Sequence, residues 1–347
     1  MPSWLLPDQI EDLLPGQAWQ QEQARRALID VFDRHGYDLV APPLVEFLES
    51  LLTGSGADLD AQTFKTTDPV SGRLLGVRAD ITPQTARIDA HLLGENGITR
   101  LCYAGQVLQV RASAMHRSRE PFLLGAELYG HAGVESDIEV VRLLVTALQT
   151  LGIAQPLVDI GHVGIFRALL ADAPPALADT LLPLLASKQA DLLAQHAADL
   201  PHAVALARLC QLHGGAEVIE RAEAELPKLP AVSEALRRLR AVAAVLTEAG
   251  VRVGCDLAEL RGFSYHSGLV FSAYAEGASD AIANGGRYDD VGRCFGRARP
   301  ATGFSIDLKE ALRVLPATGP RAVHVANDEQ QAAQLRKQGG RVITRLT

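Results

Sequence analysis

The sequence predicts an α+β fold with a largely antiparallel sheet flanked by helices. Strand-like and helical runs are mixed rather than strictly alternating, which argues against a doubly wound sheet. From about Gly161 to Gly250 the composition turns to Ala and Leu at helical spacing, with almost no strand signal. Strand-rich, Gly-rich sequence then returns from Val251 to Phe304. With 48% hydrophobic and 21% charged residues, the chain has ample material for a core.

The first element expected is a helix from Trp19 to Gly36, with Ala24, Leu28, Val31 and Phe32 on its apolar face and Gly36 as its stop. YDLVAPPLVEF follows as a strand interrupted by Pro42 and Pro43, which cannot donate to a ladder and so suit an edge or interface. Strands are expected at Arg73 to Val77 and Arg100 to Arg111, with a helix from Pro83 to Leu92 between them. LLGAELYGH reads as a further strand. Ser136 then opens a helix to Leu151, with Asp137 and Glu139 in its first turn where the helix dipole favours acids. After the helical stretch, LVFSAYA alternates as a strand and Asn284 to Gly286 (NGG) reads as a turn. The closing segment AVHVANDEQQAAQLRKQGGRVITRL reads strand, helix, strand. The expected division is a core of 1–160 with 251–315, a helical insertion of 161–250, and a βαβ-like segment of 316–347.

The balance of 33 Lys plus Arg against 41 Asp plus Glu gives a net charge of -8, so nucleic-acid binding would need a local basic patch. The first residues lack a basic region and a long apolar stretch, so neither a secretory signal nor a membrane span is expected, and the location predicted is cytoplasmic. Cys102, Cys210, Cys255 and Cys294 form no CxxC pair, and they are expected to be buried free thiols. No metal or cofactor is expected.

The most informative segments are VRADITPQTAR (Val77 to Arg87), CYAGQVLQVRASAMHRSREPFLLGAELYG (Cys102 to Gly130), ELRGFSYHSGLVF (Glu259 to Phe271), GGRYDD (Gly285 to Asp290) and ATGFSIDLKEAL (Ala301 to Leu312). They place Asp80, Arg111, Arg117, Arg119, Glu127, Arg261 and Arg287 on or beside strands rich in apolar residues. Charged residues in such company are either solvated on half-exposed strands or held by a partner or ligand. If they converge, carboxylates and guanidinium groups suit the two ends of an amino-acid zwitterion: an acid for the α-ammonium, an arginine for the carboxylate.

In this order the segments resemble the core of the histidyl-tRNA synthetase family, over roughly residues 5 to 315. DLLPGQ, the following helix and the strand with Pro43 are similar to that family's amino-terminal segment and dimer-forming first motif. RADITPQTAR keeps a carboxylate as Asp80 and a hydroxyl as Thr82. ELRGFSYHSG resembles the histidine-specific motif, and GGRYDD the Gly-rich turn after it. The resemblance implies a class II aminoacyl-tRNA synthetase-like antiparallel sheet. It also implies a histidine pocket in which Asp80 and Thr82 take the α-amino group, Glu127 and Tyr265 read the imidazole, and Arg261 lies against the carboxylate. Arg111 and His266 are carried over as members of the same pocket.

The departures point away from catalysis. Where the family grips ATP with an Arg and a Glu two residues later, this chain has Gln109 and Arg111. Where the third motif carries Gly and then Glu-Arg, it has Asp307, Lys309 and Glu310. Exchanging a guanidinium for a carboxylate at a triphosphate site replaces a bidentate anion clamp by repulsion. Leu123 stands for a Gln of the family's pocket and His266 for the second Tyr of its motif. Residues 317–347 match only a cut-down anticodon domain. A retained histidine pocket with a dismantled ATP pocket resembles the family of ATP phosphoribosyltransferase regulatory subunits. That resemblance implies a non-catalytic chain that binds L-histidine, pairs as a homodimer, joins a catalytic ATP phosphoribosyltransferase in a hetero-oligomer, and makes no stable contact with tRNA or membrane. A divergent synthetase and a histidine-sensing binding module remain as alternatives.

Overall fold

The structure is a computed structural model. It describes residues 4–54, 57–94, 96–112, 118–171, 173–259, 262–263, 265–319 and 321–345. Candidate residues Arg117 and Arg261 lie outside the described residues.

The first part of the chain forms α1 (Pro15–Arg34), β1 (Asp38–Leu39), β2 (Val45–Phe47), α2 (Leu48–Leu51), α3 (Ala57–Gln62), β3 (Phe64–Thr67), β4 (Leu74–Val77) and α4 (Thr82–Arg87). A π-helical stretch, Ile88–Leu93, prolongs α4 before β5 (Thr99–Gln106), β6 (Phe122–Tyr129), α5 (Val134–Thr150) and β7 (Leu157–His162). Next come α6 (Val163–Leu169), α7 (Pro175–Ala186), α8 (Ala190–His196), α9 (Ala203–Leu209), β8 (His213–Gly214), α10 (Val218–Glu225) and α11 (Pro230–Glu248). Strands resume with β9 (Arg252–Asp256), β10 (Leu269–Tyr274), β11 (Ala283–Arg287) and β12 (Ala301–Asp307), followed by α12 (Leu308–Arg313). The last unit is β13 (His324–Ala326), α13 (Glu329–Lys337) and β14 (Val342–Thr344).

Among the described residues the main sheet has nine strands in the order β1-β5-β6-β12-β11-β10-β7-β9-β8. Only β1 with β5 and β7 with β9 run parallel, so the sheet is largely antiparallel, as the sequence predicts. One hydrophobic core runs from Leu28 and Phe32 on α1, through Leu143 and Leu144 on α5, to Leu236 and Leu239 on α11. The helices of 163–248 share that core rather than building one of their own. β13 and β14 form a separate parallel pair covered by α13.

Several expectations shift. α1 starts earlier than Trp19, because Pro15 fits the first helical turn, and it buries the predicted face of Ala24, Leu28, Val31 and Phe32. The run around Pro42 and Pro43 is two short strands in two different sheets. The proline carbonyls between them serve as acceptors, Pro42 for Arg78 Nη1 at 2.8 Å and Pro43 for Gln84 Nε2 at 2.8 Å. The NGG segment is not a turn. It lies inside β11, where a Cβ on Gly285 would stand 2.4 Å from the Gly303 carbonyl oxygen and one on Gly286 2.5 Å from that of Leu269. The glycines admit close neighbours in a central strand. Cys294 is exposed, unlike the other three cysteines.

Candidate functional site

β6 and β12 pair so that Glu127 faces Gly303, and β5 lies on the other side with Leu101 opposite Glu127. The Glu127 side chain therefore projects from the sheet beside a residue that has none. Around it opens a cavity of about 490 Å³. Its lining includes Asp80 and Thr82 at the start of α4, Gln109 beside them, Tyr265 and His266 before β10, and Tyr288 after β11; Leu123 and Asp307, paired across β6 and β12, lie four residues along those strands from Glu127 and Gly303.

Glu127 is the centre of a hydroxyl cage. Thr82 Oγ1 donates to its Oε1 at 3.0 Å and Tyr103 Oη at 3.3 Å, while Tyr288 Oη donates to Oε2. The Tyr288 ring lies 5.1 Å from that of Tyr265, whose buried hydroxyl has no hydrogen-bond partner among the described residues. Burial pushes Glu127 up to about 8, opposed by the hydroxyl of Tyr288 and reinforced by the charge of Asp80. Burial also raises Asp80, against the N–H groups of Ile81 and Thr82, which its Oδ1 accepts at 2.6 and 3.4 Å. Two neighbouring acids with raised affinity for protons and an unpaired phenol mark a binding site rather than a packed core.

Among the described residues no lysine or arginine lines the cavity. Gln109 spends its side-chain amide on the Ala79 carbonyl at 3.3 Å. Asp307 caps α12, accepting the Lys309 and Glu310 N–H groups at 3.1 and 3.4 Å. Lys309 is buried beside Glu120 at 3.6 Å, and Glu310 turns to Arg313 at 3.5 Å, so neither lines the cavity. The acid of this segment that faces the cavity is Asp307, not Glu310 as the motif comparison suggests.

Of the residues singled out in the sequence, Asp80, Thr82, Glu127, Tyr265 and His266 come together at the cavity. Arg111 does not: it is exposed beyond the bridge of Gln109 to Thr63, and its backbone N–H meets Gln62 Oε1 at 3.4 Å. Arg119 stacks on Phe64 and bonds the Gln109 carbonyl. Arg287 is structural, because the Asp137 carboxylate, 2.9 Å away and wholly buried, holds it to α5 together with the Ser136 hydroxyl. Asp137 thus serves an ion pair and not only the helix dipole. Tyr288 and Tyr103 belong to the site and were not singled out; the aromatic inside GGRYDD was the available signal for the first. Tyr103 sits in a strand where nothing separates it from an ordinary core aromatic.

The histidyl-tRNA synthetase family model matches residues 9–311. An ATP phosphoribosyltransferase regulatory subunit of Thiobacillus denitrificans is 55% identical over 90% of this chain and 98% of its own length. One of Ralstonia nicotianae is 50% identical over 100% of this chain and 92% of its own. A crystal structure described as an ATP phosphoribosyltransferase regulatory subunit/histidyl-tRNA synthetase from Bacillus halodurans superposes with a TM-score of 0.87 at 28% identity, covering 99% of this chain and 93% of that one. A synthetase-like sheet and an acid-lined cavity agree with these likenesses, and the chain belongs to the family of ATP phosphoribosyltransferase regulatory subunits, on the histidyl-tRNA synthetase fold.

Proposed function

We propose that this chain binds free L-histidine in the Glu127 cavity and, through that occupancy, controls a catalytic short-form ATP phosphoribosyltransferase without performing chemistry itself. The observation that carries the reading is the chemistry of the cavity lining. Asp80, Thr82, Glu127 and Tyr265 offer groups for an ammonium and an imidazole, while Gln109 and Asp307 line the same cavity at positions where the synthetase motifs carry other residues. Asp80 and the Thr82 hydroxyl receive the α-ammonium, Glu127, Tyr265 and His266 surround the ring, and Arg261 takes the carboxylate. Arg111, outside the cavity, has no part.

Control requires that histidine favour one of two states of the complex, since a ligand that binds both equally shifts nothing. A homodimer formed through the segment around Leu39 to Val45 suits the exposed apolar side chains of Leu39, Leu44 and Val45. Mixing the chain with a short-form catalytic subunit and assaying turnover with and without histidine tests the proposal. Activation by the empty chain and inhibition on adding histidine are expected; turnover indifferent to both overturns it.

A further inference from the structure

We propose that the Ser305 hydroxyl binds the ligand, as the third acceptor for its α-ammonium beside Asp80 and Thr82. The proposal rests on the histidine reading of the cavity and adds a residue that the motifs do not single out.

An ammonium carries three N–H donors, and each needs an acceptor once water is shut out. Asp80 and Thr82 supply two. Where the synthetase pocket has a glutamine, this chain has Leu123, which lines the cavity without a polar side-chain atom. The nearest polar replacement is on the adjoining strand. Leu123 pairs with Asp307 across β6 and β12, and Ser305 is two residues back along β12 on the same face, between Asp307 and Gly303.

Ser305 is free to take that part. Among the described residues, the two buried hydroxyls of the cavity wall without a hydrogen-bond partner are those of Tyr265 and Ser305. A buried polar atom left unpaired in a folded protein calls for a ligand or a water. Tyr265 belongs with the ring, and the neighbours of Ser305 put it with the ammonium. Gly125 stands in register between Ser305 on β12 and Tyr103 on β5. The Tyr103 phenol leans over that glycine, so a Cβ there would fall 2.3 Å from Tyr103 Oη. Oη thereby comes beside Ser305, near enough for the two hydroxyls to influence each other and outside hydrogen-bond geometry. On its other side the same Oη is 3.2 Å from Thr82 Oγ1, and the Asp80 charge bears on it as well. Ser305, Thr82 and Asp80 therefore surround one phenol.

The protons in this group already have places to go. Thr82 donates to Glu127 at 3.0 Å and Tyr103 at 3.3 Å, so both oxygens keep lone pairs. The Ser305 proton can turn to Tyr103 Oη, which leaves the serine oxygen facing the ammonium as an acceptor. Asn284, beside Ser305 on β11, is less available, because its Oδ1 accepts from Ser272 at 2.9 Å.

The test compares L-histidine with desamino-histidine, which has the same ring and carboxylate and no amine, on the parent chain and on Ser305→Ala. Ligand-observed NMR reads both affinities into the millimolar range. Histidine should bind the variant at least about tenfold more weakly, as expected for the loss of a hydrogen bond to a charged group. Desamino-histidine should bind parent and variant alike, and the urea midpoint of the ligand-free protein should not fall, since the hydroxyl has no partner to lose. Unchanged histidine affinity, equal weakening of the two ligands, or a lowered midpoint of the ligand-free variant overturns the assignment and leaves the cavity reading standing. Failure of histidine to bind the parent overturns that reading and the assignment with it.

Discussion

Gly303 on β12 stands opposite Glu127 on β6, and a single carbon added to Gly303 would fall 1.6 Å from Glu127 Oε2. The acid occupies the space that any other residue at 303 would fill. Gly303→Ala should therefore displace Glu127 from its hydroxyl cage, cost about 1–3 kcal/mol of stability as overpacking does, and abolish histidine binding. Urea unfolding and calorimetry on the same sample check both parts.

Glu127 also gives the ligand-free protein a pH signature. Its affinity for protons is raised from 4.5 in the open chain to about 8 in the fold, so the folded state holds a proton that the unfolded state has lost. Stability from this group is complete below about pH 4.5 and falls as pH rises to about 8, with a slope of at most about 1.4 kcal/mol per unit. Glu127→Gln, which keeps shape and cannot ionise, should flatten the profile of urea midpoints across that range. A variant profile as steep as the parent's would show that the acid is ionised in the empty cavity.

The Arg287–Asp137 pair is buried on both sides and lies outside the cavity. Asp137→Ala should cost about 3–5 kcal/mol, because it removes the fully buried counter-charge of the guanidinium and leaves it only the part-exposed Asp289 as an acid partner among the described residues. Surface pairs such as Arg293–Asp290, more than two-thirds exposed on both partners, should cost at most about 1 kcal/mol when broken. Thermal unfolding of the two variants side by side measures the contrast.

Arg261→Ala should leave the fold intact and weaken histidine by about 2 kcal/mol, the scale of a charge-assisted pair. In the complex the same change should give resistance to feedback by histidine while activation of the catalytic subunit persists. Normal feedback in this variant would place the ligand elsewhere.

ATP offers the complementary case. Asp307 faces the cavity and Gln109 is committed to the Ala79 carbonyl, so calorimetry with ATP should register no binding under conditions where histidine binds. Heat from ATP at micromolar concentration would contradict this reading of the cavity.

How much of this was legible in the sequence varies with the physics of each element. α1 and α5 announced themselves through apolar spacing, because burial of one helix face leaves a periodic trace. Asp80, Thr82 and Glu127 were recoverable from motifs. Arg287 was misleading: a charged residue in a signature segment serves equally to bind a ligand or to fasten a strand, and only the position of Asp137 decides. The NGG segment failed for a similar reason, since glycine marks both a turn and a strand that needs close neighbours. The cage around Glu127 joins hydroxyls far apart in sequence, Thr82, Tyr103 and Tyr288, and no local pattern encodes their meeting.

The parallel pairing of β7 with β9 bears on how the chain can be shortened. Two adjacent parallel strands cannot be joined by a tight loop; the connection must travel the length of a strand and return, which takes a dozen residues or more. Here α6 to α11 make that journey, and their apolar faces are the lining of the main core. The helical stretch is therefore a return path and not an appendage: excising it would leave β9 with no route back to its neighbour and would open the core to water along the face now covered by Leu236 and Leu239.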